Sequence, residues 1–125
     1  MAPQGLLFVL MFVSGCGSAS RNNLDAKVDL TLDPSPPVVG TANVSLRLAA
    51  TDGRPIEGAK VRLEGNMNHA GMKPTFSDLQ EVAPGNYDGT LELTMGGDWF
   101  LLVTATTPDG KRLERKIDVP GVTAP

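Results

Sequence analysis

From Asp25 onward, apolar residues return at every second position. "VDLTL" sets Val28, Leu30 and Leu32 on one face, and "NVSLRLA" does the same with Val44, Leu46 and Leu48. "KVRLE" adds Val61 and Leu63, "YDGTLELTM" adds Leu91, Leu93 and Met95, and "RLERKIDV" adds Leu113, Ile117 and Val119. Successive side chains of a strand point to opposite faces, so short alternating runs of this kind predict half-buried strands. "WFLLVTATT" is apolar on both faces at its centre, which predicts an inner strand. Between these runs stand "DPSPPVVG", "TDGRP", "APGN", "MGGD" and "PDGK", rich in the residues that tight turns favour. With about seven strands in roughly 100 residues and no long helix, the pattern predicts an antiparallel, immunoglobulin-like β-sandwich. It should occupy residues 26–120, leaving 121–125 as a short tail. Trp99, which opens the apolar strand, is expected in the core, with ligand stacking as the alternative.

The start of the chain has another character. "GLLFVLMFV", residues 5–13, is an unbroken apolar run ahead of "SGCGSAS". A membrane-spanning helix needs about 20 apolar residues, so this run suits the apolar core of an export signal instead, although no Lys or Arg precedes it. "VSGC", residues 13–16, resembles the lipobox of bacterial lipoproteins. The expectation is a signal peptide over 1–15, lipidation at Cys16 and a tether to residue 25. The protein would then be extracytoplasmic and held on the membrane by acyl chains, each buried methylene contributing about 0.8 kcal/mol. Cys16 is the one cysteine of the chain, so the sandwich has no internal disulfide and must rely on its hydrophobic faces.

Charge narrows the range of partners. The net charge is −3, and Lys and Arg are scattered rather than clustered, which argues against a nucleic-acid partner. There is no glycine-rich phosphate fingerprint, no heptad pattern and no internal repeat.

The stretch that departs from structural patterning is "NMNHAGM", residues 66–72, where the single histidine, His69, stands between Met67 and Met72. Thioethers are soft neutral donors that favour Cu(I), and imidazole suits copper in either oxidation state. Calcium would need an array of oxygen ligands, and the segment has no carboxylate; structural zinc would usually need cysteines or several histidines. In extended chain, Met67 and His69 point to the same side, and Ala70–Gly71 let the chain turn to bring Met72 back. Met95, at a strand end beside "GG", is either a fourth ligand or core filler. The plainer alternative is a solvated loop histidine, with Met67 and Met72 capping the sandwich edge.

In this order, "DGRPIEGAKVRL", "MNHAGM" and "GNYDGTLELTMGGDWFLLVTAT" resemble the YtkA-like family of extracytoplasmic immunoglobulin-like domains, related to FixH-type proteins. The landmarks are Met67, His69 and Met72, then Gly85 and Tyr87, then Met95, Gly97 and Trp99. The resemblance covers about residues 25–119. It implies a β-sandwich and, for several members, a connection with copper handling or respiratory oxidase assembly. The expected function is Cu(I) binding through Met67, His69, Met72 and Met95, with carriage, buffering or delivery to a metalloprotein acceptor or an oxidase assembly factor. A single histidine speaks against tight Cu(II) binding through several imidazoles. The rival is a non-metal envelope module that meets another protein through edge strands or loops. Catalysis is the weakest reading, because one histidine and no catalytic cysteine leave only Asp78, Glu81 or Asp98 for carboxylate chemistry.

Overall fold

The computed structural model describes residues 23–125. The expected signal peptide, Cys16 and most of the tether lie outside the described residues. Seven strands follow one another along the chain: β1 (Ala26–Asp33), β2 (Gly40–Ala50), β3 (Lys60–Met67), β4 (Thr75–Ala83), β5 (Asn86–Leu93), β6 (Gly97–Thr106) and β7 (Arg112–Val122). All named pairings are antiparallel, in the order β1-β2-β5-β4-β3-β6-β7. The all-β sandwich read from the alternation is therefore the fold.

β4 joins the two layers. Its first half, Thr75 to Leu79, pairs with β3, and its second half, from Gln80, pairs with β5 through a register irregularity between Glu81 and Ala83. This is the strand that alternation does not reveal. Its larger apolar residues are Phe76, Leu79 and Val82, three apart rather than two. Leu79 is buried, while Phe76 and Val82 are 53% and 60% exposed. A strand that changes sheets changes which parity faces the core, so period two is lost.

The core lies between the layers. β2 supplies Val44, Leu46 and Leu48, β3 supplies Val61 and Leu63, and β5 supplies Leu91 and Leu93, all almost fully buried. From β6 come Leu101, Val103 and Trp99, the last only 2% exposed, as expected of a core tryptophan. Fully burying a side chain of this size contributes about 1.5–3 kcal/mol, so these faces stabilise the fold without a cross-link. Val28, Leu30 and Leu32 of the edge strand β1 are half-buried. The segments on either side of β1 reach the two ends of β7, Leu24 N donating to Arg112 O (2.9 Å) and Val39 N to Thr123 O (2.8 Å). The sheet thus almost closes on itself.

An antiparallel sandwich has two ends, and here they differ. One pole carries Asn23, residues 51–59, the β4–β5 turn and the β6–β7 turn. Here the Tyr87 hydroxyl donates to Ile56 O (2.8 Å) and accepts from Ala59 N (3.0 Å). The Glu81 carboxylate accepts from Gly58 N (2.9 Å) and Gly85 N (3.2 Å). Gly85 has φ +78°, and a Cβ there would lie 2.7 Å from Pro55 Cβ. Glycine is therefore required at position 85 on both conformational and steric grounds. Burial pushes the Tyr87 phenol above its usual value of 10.0, with the amide of Ala59 opposing that shift. The opposite pole carries residues 34–39, 68–74 and 94–96.

Candidate metal site at the methionine pole

β3 ends on the inward side. Val61, Leu63 and Gly65 are buried and Met67, next in parity, is half-buried. Met67 is the cross-strand partner of Trp99. The side chains of such a pair stand on one face within reach of each other. Gly65 makes room for the indole, since a Cβ on it would meet Thr75 Oγ1 at 2.8 Å and the Trp99 ring at 3.3 Å. The Trp99 Nε1–H donates to Met95 O at 2.8 Å. The same indole therefore neighbours Met67 and fixes the turn that carries Met95. Gly97 completes the fit, because the Met67 Cε lies 2.8 Å from the position its Cβ would take.

The segment 68–74 arches over this end. Met72 N donates to His69 O (3.3 Å), and Gly71 adopts φ +84°; the Ala70–Gly71 turn read from the sequence is present. Met72 is half-buried and packs against the core. His69 is exposed, with Nδ1 3.1 Å from Ala70 O. Met95 lies beyond the end of β5 and is 38% exposed. It does not belong to the core cluster, so the filler alternative for this residue falls away. An open groove of about 650 Å³ runs past Met67, His69, Gly97, Trp99 and Asp118.

All four expected donors thus belong to one pole, two against the core and two toward solvent. The clustering of scarce donors in "NMNHAGM" identified Met67, but the two glycines that shape its seat were not singled out for that role. Nor was the indole N–H bond to Met95. The signal for these was "MGGDW", in which glycine precedes a tryptophan that has to pack beneath a neighbouring strand. Among the described residues no three His, Cys, Asp or Glu side chains group as a metal site, so a metal here would depend on thioethers.

The carboxylates considered for catalysis stand elsewhere or are occupied. Glu81 holds two backbone amides at the other pole. Asp98 Oδ1 accepts from Gly121 N at 2.9 Å. Asp78 is solvated on β4, 3.9 Å from Arg62.

Comparison with known families settles one question. The YtkA-like family model matches residues 21–104. The chain belongs to the YtkA-like family. The match takes in β1 to β5 and most of β6, including Met67, His69, Met72 and Met95. No curated protein matches. Among solved structures, a DUF4785 family protein from Legionella pneumophila is similar with a TM-score of 0.51 and 14% identity, over 78% of this chain and 28% of that one. MtrC from Shewanella baltica OS185 is matched with a TM-score of 0.46 and 16% identity, over 79% of this chain and 23% of that one. The chain therefore spans about a quarter of the length of these two proteins, and the Legionella likeness is one of fold.

Proposed function

We propose that this YtkA-like domain is an extracytoplasmic lipoprotein, anchored through Cys16, that binds copper as Cu(I) at the methionine pole. It would carry or buffer the ion and pass it to a metalloprotein acceptor, such as a respiratory oxidase assembly factor. The observation that carries this reading is the gathering of Met67, His69, Met72 and Met95 at one end, around a tryptophan tied to one segment and paired with another. Their donors are three neutral sulfurs and one imidazole, a set suited to a soft monovalent ion and poorly suited to magnesium, calcium or structural zinc.

The arrangement also fits exchange. Met67 and Met72 rest on the core and would hold the ion from below. His69 and Met95 face solvent, where an incoming donor can displace them one at a time. Because every protein ligand is neutral, their release leaves no unpaired carboxylate or thiolate behind. Competition with a coloured Cu(I) chelator tests the proposal. Wild-type protein should withdraw copper from the chelator, and the double variant Met67→Ala, His69→Ala should not. Equal competition by the two would refute it.

One surface feature favours the rival, a protein-interaction module. On the outward faces of the β4-β3-β6-β7 layer, Arg62 stacks over the exposed Phe76 ring (4.8 Å) and Lys116 over Phe100 (4.9 Å). A partner recovered by cross-linking through Phe76 and indifferent to the methionine changes would support that role. Catalysis stays the weakest reading, since Glu81 and Asp98 serve backbone amides and Asp78 is solvated beside Arg62.

A further inference from the structure

Strand direction fixes where the chain enters the domain. Asn23 bridges to Arg112 at the start of β7, and Leu24 N donates to Arg112 O (2.9 Å). Arg112 pairs with Thr106, whereas Val119 pairs with Trp99 and Val122 with Gly97. β1 agrees, since Ala26 lies opposite Ala50 and Asp33 opposite Asn43, three residues from Gly40, whose partner is Leu93. The polypeptide therefore enters at the tyrosine pole, and the methionine site lies at the far end.

The distances matter. From Arg112 to Val122 is ten residue steps, about 33 Å at about 3.3 Å each, or somewhat under 30 Å along the sandwich axis after strand tilt. The loop 68–74 adds to that height. Cys16 and Asn23 are seven steps apart, which span at most about 25 Å fully stretched. A chain anchored at Cys16 cannot be inverted to set its methionine pole on the lipid surface, because the tether is shorter than the domain.

We infer that the metal site faces away from the membrane and exchanges copper with a protein whose donor groups stand clear of the bilayer, rather than with a site at the lipid surface. This rests on the lipoprotein and copper readings above and names the kind of partner they imply. Tether length excludes pole-down contact, and an upright rather than a sideways stance is what the inference adds and what the two label positions test.

Vesicles bearing the lipidated protein test the inference. With Cys16 acylated, a fluorophore can be attached to one introduced thiol, either Lys111→Cys at the tether pole or Ala70→Cys at the methionine pole; both positions are exposed. Energy transfer to an acceptor on the lipid headgroups should be at least about twofold stronger from position 111. Inserting about 20 Gly/Ser residues after Ser18, which adds roughly 25 Å of reach, should abolish the difference. Equal transfer with the native tether, stronger transfer from position 70, or an unmodified Cys16 by mass spectrometry would each overturn the inference. Failure of the copper reading would show separately, as loss of chelator competition with the label asymmetry intact.

Discussion

The two ends of the sandwich are made of different materials. At the tyrosine pole, polar groups are matched one to one. A buried phenol satisfies Ile56 O and Ala59 N, and a carboxylate satisfies two glycine amides. At the methionine pole the packing is between a thioether methyl, an indole and glycines, with the single histidine left in solvent. Directional bonds fix geometry, because a buried polar group that loses its partner is costly. Thioethers pack through flexible, polarizable chains that tolerate rearrangement. The tyrosine pole is therefore the more rigidly bonded end, while the methionine pole, held by the Trp99 N–H bond to Met95 O, packs its loop 68–74 through more adaptable side chains.

That contrast can be broken most severely at Gly85. A Cβ there would strike Pro55 and force a side chain into a positive-φ conformation. Gly85→Ala should cost about 3 kcal/mol through overpacking and strain together, read as a lowered midpoint in urea unfolding. Little change would mean that the 51–59 loop is not clamped as described.

Tyr87→Phe sharpens the comparison with less disruption. It keeps the ring and removes only the hydroxyl, leaving Ile56 O and Ala59 N to find other partners. The expected loss is about 1–3 kcal/mol. A substitution of similar delicacy at the other pole, Met67→Leu, should cost less than about 1.5 kcal/mol, because volume is nearly kept. A reversal of that ranking would contradict the division of labour.

The same phenol gives a pH signature. Its folded value is raised by burial, so the unfolded chain releases the proton first as the solution becomes alkaline. The stabilising contribution is complete below the unfolded value of 10.0 and is lost as pH rises through the folded value. Since Tyr87 is the sole tyrosine, its titration is visible directly in the ultraviolet spectrum. Wild-type stability should fall above pH 10 more steeply than that of Tyr87→Phe. Parallel curves would show that burial does not hold the proton.

The smallest effect belongs to His69. Its side chain is exposed and its one hydrogen-bond contact is with its neighbour's carbonyl, so His69→Ala should change stability by no more than about 0.5 kcal/mol. A larger loss, seen by thermal unfolding without metal, would make the histidine structural.

Much of this contrast is written locally. The inward positions of β2, β3, β5 and β6 follow from alternation, and Trp99 was placed in the core because it opens an apolar run. β4 was hidden because Phe76, Leu79 and Val82 break period two where the strand crosses between layers. The donors at the methionine pole were legible as scarce residue types in one segment. What brings Met95 to them was not, since the Trp99 N–H bond and the space left by Gly65 and Gly97 depend on pairing between strands far apart in the chain. Glu81 and Tyr87 show the same limit. Apart from Gly85, four positions from Glu81, their partners lie 23 to 31 positions away in the 56–59 loop, and no short-range pattern announces those.

X-ray absorption at the copper edge, on protein loaded under reducing conditions, addresses the central claim most directly. The account predicts a monovalent edge with a first shell dominated by sulfur plus one imidazole nitrogen, the sulfur contribution shrinking in Met67→Leu. A shell of nitrogen and oxygen alone, or protein that retains no copper after desalting, would contradict it.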